Sequence, residues 1–172
     1  MKEYVSEFDL RFYIRLIRWQ ERDLLLALFR AMSRSADGQL YILAAVALYL
    51  GAGEVGQQSV AVAALAFAIE VPAFILLKNA IRRERPFENV EGSRQLVQPS
   101  DKFSMPSGHT AAAFVVATLV FAFAPTLSPI ALVWACLVGT SRVVLGVHYL
   151  SDVAAGALLG WSSAYVALGV IL

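Results

Sequence analysis

The chain has 172 residues, 59% of them hydrophobic, with a mean hydropathy of +0.66 and a formal net charge of +1. A water-soluble domain of this size has too much surface to hide so much apolar material, so lipid is the expected solvent. The small net charge argues against nucleic acid as the main partner, and a lone cysteine, Cys136, excludes an internal disulfide. The length suits one domain spanning 1–172. The charged start, with Glu3, Glu7, Asp9 and Arg11, does not read as a cleavable signal peptide.

Residues 8–34 come first. Phe8, Phe12, Leu16, Ile17, Leu24, Leu25, Leu28 and Phe29 recur at three- and four-residue spacing, with Arg11, Arg15, Arg18, Arg22 and Arg30 on the other side. This pattern predicts an amphipathic helix lying in the membrane interface, or the same helix packed on protein. Residues 33–38 are a polar break. The transmembrane bundle is then expected over 39–172, as five apolar segments: 40–53, 57–77, 110–124, 128–144 and 150–172. The first is short for a hydrocarbon core of roughly 30 Å, which takes about 20 helical residues. The very short connections at 51–56 and 125–128 imply antiparallel hairpins. Because a helix in lipid satisfies its own backbone, the expected fold is an all-α membrane-embedded bundle of about five transmembrane helices plus the interfacial helix.

Every lysine and arginine falls within residues 2–34, 78–102 or at 142, so one end of the bundle carries all the cations. Three clusters lie at that end. The stretch 78–86 holds Lys78 and Arg85 about two helical turns apart, with Pro86 expected to end the helix. Two cations on one face suit a phosphate, arginine binding two oxygens at once; a basic flank meeting lipid headgroups is the alternative. The stretch 106–109 is Pro-Ser-Gly-His. Ser107 is expected as an N-cap and Gly108 permits close backbone approach, which makes the helix start an anion site with His109 beside it as a proton donor. A plain helix cap with an interfacial histidine would read the same way. The stretch 141–152 holds Arg142, another phosphate donor, then His148 and Asp152 four positions apart, stacked if helical. Asp152 would then orient His148 as a nucleophile, unless the pair is structural. Gly146 is expected to mark the turn between two membrane helices. The sequence has only two histidines, and both fall in these clusters.

Together the clusters resemble the signature of the type 2 phosphatidic acid phosphatase family, which also includes vanadium haloperoxidases and bacterial lipid phosphatases. That pattern reads Lys-x6-Arg-Pro, Pro-Ser-Gly-His and Ser-Arg-x5-His-x3-Asp, and it is matched in order from Lys78 to Asp152. The resemblance implies a lipid phosphate or pyrophosphate phosphatase that needs no metal or other cofactor. It implies that His148 attacks phosphorus to give a phosphohistidine and that Asp152 orients it. His109 would protonate the leaving oxygen and then activate water. Lys78, Arg85, Ser107, Gly108 and Arg142 would hold the phosphoryl oxygens. The alternatives are a non-catalytic lipid-phosphate binding or transport protein and, less in keeping with a short membrane chain, a haloperoxidase.

Substrates in keeping with the resemblance are undecaprenyl pyrophosphate, phosphatidylglycerol phosphate, phosphatidic acid and lipid A phosphates, with headgroup selection expected in the 87–105 loop through Glu88, Glu91, Arg94 and Lys102. Glu70 and Pro72 interrupt the second apolar segment, and an ionisable group there is a functional candidate as well as a packing one. The expected location is a bacterial inner membrane, multi-pass. The arginine-rich N-terminus places the site face in the cytoplasm by the positive-inside rule, whereas the resemblance places it outside, and the outward site is the expectation.

Overall fold

The computed structural model describes residues 6–172. Helix α1 (Glu7–Ile17) and helix α2 (Asp23–Arg34) are separated by a 3-10 turn at Arg18–Glu21. The expected single amphipathic helix is therefore broken in two. Arg22 adopts an extended conformation and opens α2, so the continuous apolar periodicity across the break does not correspond to a continuous helix. Helix α1 has 11 residues and α2 has 12, about 17 Å each at 1.5 Å per residue, too short to cross a bilayer. Both present two faces. One is packed on protein, burying Asp9, Tyr13, Phe29 and Ser33, with Gln20 of the turn between them also buried, while Phe8, Leu24 and Leu28 stay exposed.

The five apolar segments are all helical: α3 (Gly38–Gly51), α4 (Gly53–Ile81), α6 (Gly108–Phe123), α7 (Ser128–Val144) and α8 (Leu150–Ile171), with a short α5 (Pro86–Asn89) between α4 and α6. The stretches containing α4, α7 and α8 are long and apolar enough to cross a membrane, while α3 and α6 are shorter apolar helices. The burial pattern is that of a protein solvated by lipid. Leu43, Leu50, Leu76, Ile130 and Val170 are exposed, whereas the interior holds Ala66, Ala111, Ala113, Ala117, Ala135, Ala164 and Ala167.

Small residues let the central helices touch. A methyl on Gly160 would stand 2.0 Å from the carbonyl oxygen of Ala111, and one on Gly156 would stand 2.4 Å from that of Ser107. This four-residue pair of glycines brings α8 against the backbone of α6. Between α7 and α8 the chain reverses at Gly146, whose φ of +84° suits glycine. Helix α4 ends at Ile81, with Arg82 in the left-handed region at φ 52°. The helix thus stops before Pro86, and Pro86 instead opens α5, where a missing N–H costs nothing. The C-terminal ends of α4 and α7 and the N-terminal ends of α6 and α8 all meet at the end of the bundle where α1 and α2 pack.

Candidate active site

At this end the three clusters converge on one cavity of about 490 Å³. Lys78, Arg85, Gly108, His109, Arg142 and His148 line it. Ser107 and Asp152, both fully buried, stand behind the wall.

The two cations of the first cluster meet, but by a different route from helical periodicity. Arg85 lies beyond the end of α4, in extended backbone. What unites them is Asp101, from the loop between α5 and α6. Its Oδ1 accepts from Lys78 Nζ at 2.6 Å and from Arg85 Nη2 at 2.8 Å. Lys78 also donates to the carbonyl of Phe103 and stands 4.4 Å above the Phe74 ring. Burial raises the Asp101 carboxyl, but Lys78 and Arg85 outweigh it and hold the group below the usual carboxylate range. Its side chain is 31% exposed.

At the start of α6, Ser107 occupies the N-cap position without capping. Its hydroxyl accepts from Thr110 Oγ1 at 2.9 Å, and its N–H donates to the carbonyl of Asp152 at 3.0 Å. Its N–H thus ties α6 to α8, while its hydroxyl bonds within the first turn of α6, and neither faces the cavity. Gly108 has a packing reason beside the expected anion-binding one, since a methyl there would meet the Phe74 ring at 3.0 Å. His109 Nε2 lies 3.2 Å from Asp37 Oδ1, at the start of α3.

His148 and Asp152 are not stacked on one helix. His148 precedes Tyr149, the N-cap of α8, and Asp152 sits in the first turn. The His148 Nδ1 to Asp152 Oδ2 distance is 3.6 Å, an ion-pair distance longer than a hydrogen bond, and Nδ1 is buried without a hydrogen-bond partner. Nε2 turns to the cavity side, 3.5 Å from Arg85 Nη1. Burial pushes the His148 imidazole down to about 4. The Asp152 carboxylate opposes that shift, and Arg142 and Arg85 add to it. At neutral pH the ring is uncharged, as a nitrogen nucleophile must be.

Asp152 is itself held on both oxygens. Oδ2 accepts from the Tyr149 N–H at 2.7 Å and Oδ1 from Arg83 Nη1 at 2.7 Å. Arg83 also donates through Nη2 to Asp9 Oδ2 at 2.7 Å, and Asp9 Oδ1 accepts from the Ser151 N–H at 2.9 Å. The N-terminal helix α1 thus caps α8 and neutralises the arginine that grips Asp152. Burial raises Asp9, but its bonds to Ser151 and Arg83 prevail and leave it below the usual range. Arg142 donates to Ser33 Oγ of α2. Asp9, Ser33, Asp37, Arg83 and Asp101 were not legible as site residues. Asp101 lies inside the loop expected to select headgroups, yet Glu91, Arg94 and Lys102 of that loop are exposed, and among the described residues Glu88 accepts only from the Arg85 N–H.

A buried anion cradle with two histidines, at one end of a lipid-solvated helical bundle, defines a membrane protein that handles a phosphate-like group. The chain belongs to the PAP2 superfamily, whose sequence model matches residues 57–171, and it is an integral membrane protein. Over 80 residues it is 42% identical to the bacitracin transport permease protein BcrC of Bacillus licheniformis, covering 46% of this chain and 39% of that one. Over 65 residues it is 45% identical to the lipid A 4'-phosphatase of Helicobacter pylori (strain J99), covering 36% of this chain and 32% of that one. The matched stretches thus span less than half the length of these relatives. The crystal structure of Aquifex aeolicus LpxE is similar over 98% of this chain and 99% of that one, with a TM-score of 0.86 at 28% identity. The first transmembrane PAP2 type phosphatidylglycerolphosphate phosphatase from Bacillus subtilis gives 0.53 at 26% identity, over 97% and 96%.

Proposed function

We propose that the protein is a metal-independent lipid phosphatase acting through a phosphohistidine. The observation that carries this reading is the cavity, which joins a cationic cradle and two histidines to an apolar flank. That flank includes Ile42, Val71 and Ile75, which are 67%, 45% and 50% exposed on the lipid-facing surface. A lipid entering sideways would present its phosphate to the cradle while its chain stays in the membrane.

In the first step His148 Nε2 attacks phosphorus. The P–O bond to the lipid breaks, and His109, supported by Asp37, gives its proton to the leaving oxygen. In the second, neutral His109 takes a proton from water, the water oxygen attacks phosphorus, and the P–N bond breaks to release phosphate and free His148. Lys78, Arg85, Arg142 and the N–H groups at the start of α6, Gly108 among them, stabilise charge on the phosphoryl oxygens. Ser107 serves this site through the backbone by tying α6 to Asp152. Substrate oxygens must take the donors now held by Asp101, so binding displaces its carboxylate.

The test is phosphate release from a lipid phosphate in detergent with EDTA present. The wild type should turn over, and His148→Ala should lose activity at least about a thousandfold. Equal, slow release by both would favour the alternative, a lipid-phosphate binding or transport protein, a reading to which the name of the Bacillus licheniformis relative lends support. We take undecaprenyl pyrophosphate, phosphatidylglycerol phosphate and phosphatidic acid-like lipids as the substrate candidates. We also place the site on the outer side of a bacterial inner membrane. Because α1 and α2 pack at the site end, the arginines of 8–34 share its side, and the positive-inside rule opposes this placement. Labelling a cysteine introduced at Lys102 in intact cells, with Cys136 removed, decides the side.

A further inference from the structure

Below the cradle the cavity changes character. On α4, Val62, Ala66, Glu70 and Lys78 are buried at spacings of four and eight, with the half-buried Phe74 completing the row. Glu70 therefore faces the same interior as Lys78, eight residues and about 12 Å of helix rise away. Glu70 is only 4% exposed and lines the cavity. The site-facing hydrogen bonds of α4 start from Lys78; among the described residues none reaches the Glu70 carboxyl. Tyr41 of α3 lines the same cavity. Its ring packs against Phe67 and Trp134, and its hydroxyl is buried with no hydrogen-bond partner.

Buried polar groups are ordinarily hydrogen bonded, and an ionisable group at membrane depth is retained for a reason. Two such groups, without a hydrogen-bond partner among the described residues, line the cavity that holds the cradle, together with the apolar Ile42, Phe67, Val71, Phe74 and Ile75. The flank of that cavity opens towards lipid. A substrate with its phosphate in the cradle must run its next atoms past Phe74 towards this pair. A polyprenyl chain is hydrocarbon from its first carbon and would leave both groups unpaired. An acylated lipid carries ester or amide carbonyls, and often hydroxyls, a few bonds from its phosphate. Those carbonyls can accept from the Tyr41 hydroxyl or from a protonated Glu70, and hydroxyl or amide hydrogens can be given to Glu70.

We infer that Tyr41 and Glu70 form a subsite for the polar linkage groups of an acylated lipid, so that the substrate belongs to the acylated class and not to the polyprenyl class. This rests on the lipid phosphatase reading above.

The experiment measures kcat/KM for phosphatidic acid and for farnesyl phosphate with the purified full chain in detergent and EDTA. The wild type should favour phosphatidic acid. Glu70→Leu and Tyr41→Phe should each lower the ratio of the two values by about tenfold, the worth of one buried hydrogen bond. Glu70→Gln, which keeps a donor and an acceptor, should retain most of it. A wild-type preference for farnesyl phosphate overturns the inference, as does an unchanged ratio in Glu70→Leu and Tyr41→Phe. Equal losses on both lipids in variants with a normal melting temperature overturn it too, since they would mark a general role. Should Glu70→Leu fail to fold, Tyr41→Phe and Glu70→Gln still report the ratio. The phosphatase reading fails separately, if the wild type releases phosphate from neither lipid; the same ratio is then read from equilibrium binding of the two lipids.

Discussion

Two ionic clusters sit side by side at the active end, and they are built on opposite plans. Around Asp101 one carboxylate, 31% exposed and carried by a loop, lies between two cations. Around Arg83 one guanidinium, 4% exposed, lies between the carboxylates of Asp9 and Asp152, which are 3% and 0% exposed. The first cluster has a surplus of positive charge and a partner that can turn to water. It can exchange its carboxylate for a phosphate. The second has no route to solvent, and breaking it strands a buried charge. On the proposed mechanism one holds a place for the substrate, and the other fixes Asp152 behind His148.

The largest effect should come from the second cluster. Arg83→Met leaves Asp9 and Asp152 unpaired in the interior and should destabilise the protein by about 3–5 kcal/mol, read as a fall in thermal midpoint in detergent together with lost activity. Substituting a cation of the first cluster separates chemistry from folding. Lys78→Met should cut kcat by about a hundredfold or more while the midpoint moves little, because Asp101 keeps Arg85 and solvent. Asp101→Asn removes the competing charge, so inorganic phosphate should inhibit more tightly, by several-fold in Ki, an effect of about 1 kcal/mol.

Acid sharpens the comparison further. His148 titrates at about 4 in the folded protein against an ordinary value of 6.5. The unfolded chain thus takes up a proton that the folded one refuses, and stability should decline as pH falls from 6.5 towards 4. Asp9 and Asp101 are shifted downward, so their contribution is full above 3.8 and is lost only as pH falls through their lower folded values. Melting curves against pH should therefore show an early loss that His148→Gln flattens and a later one that it leaves. At the small end, Arg11→Ala removes only an exposed pair with Glu7 and should leave activity and melting unchanged.

Much of the frame was readable from residue order alone. Hydropathy located all five apolar helices, and the segment at 128–144 coincides with α7 because Pro125 and Pro129 punctuate its start and Arg142, with Gly146 soon after it, marks its end. The motif residues were readable because their spacing is local. The rest depended on contacts that spacing does not encode. Arg83 meets Asp9 and Asp152 across 74 and 69 residues, and nothing near Asp9 distinguishes it from the other acids of α1. Asp101 sits in a loop with no periodicity to aim it. Reading Lys78 and Arg85 as one helical face failed because Arg82 leaves the right-handed region and ends α4 early. The expected His148–Asp152 stack failed for a similar reason, since α8 begins only after His148.

The glycines of α8 give the site a mechanical reach beyond its charged groups. Gly156 bears on the carbonyl of Ser107, whose own N–H is bonded to Asp152. The clearance between α6 and α8 therefore works as a gauge block that sets the spacing between the helix carrying His109 and the helix carrying Asp152. One extra methyl would shim the two apart, and the protein would lose its alignment with every reactive side chain intact.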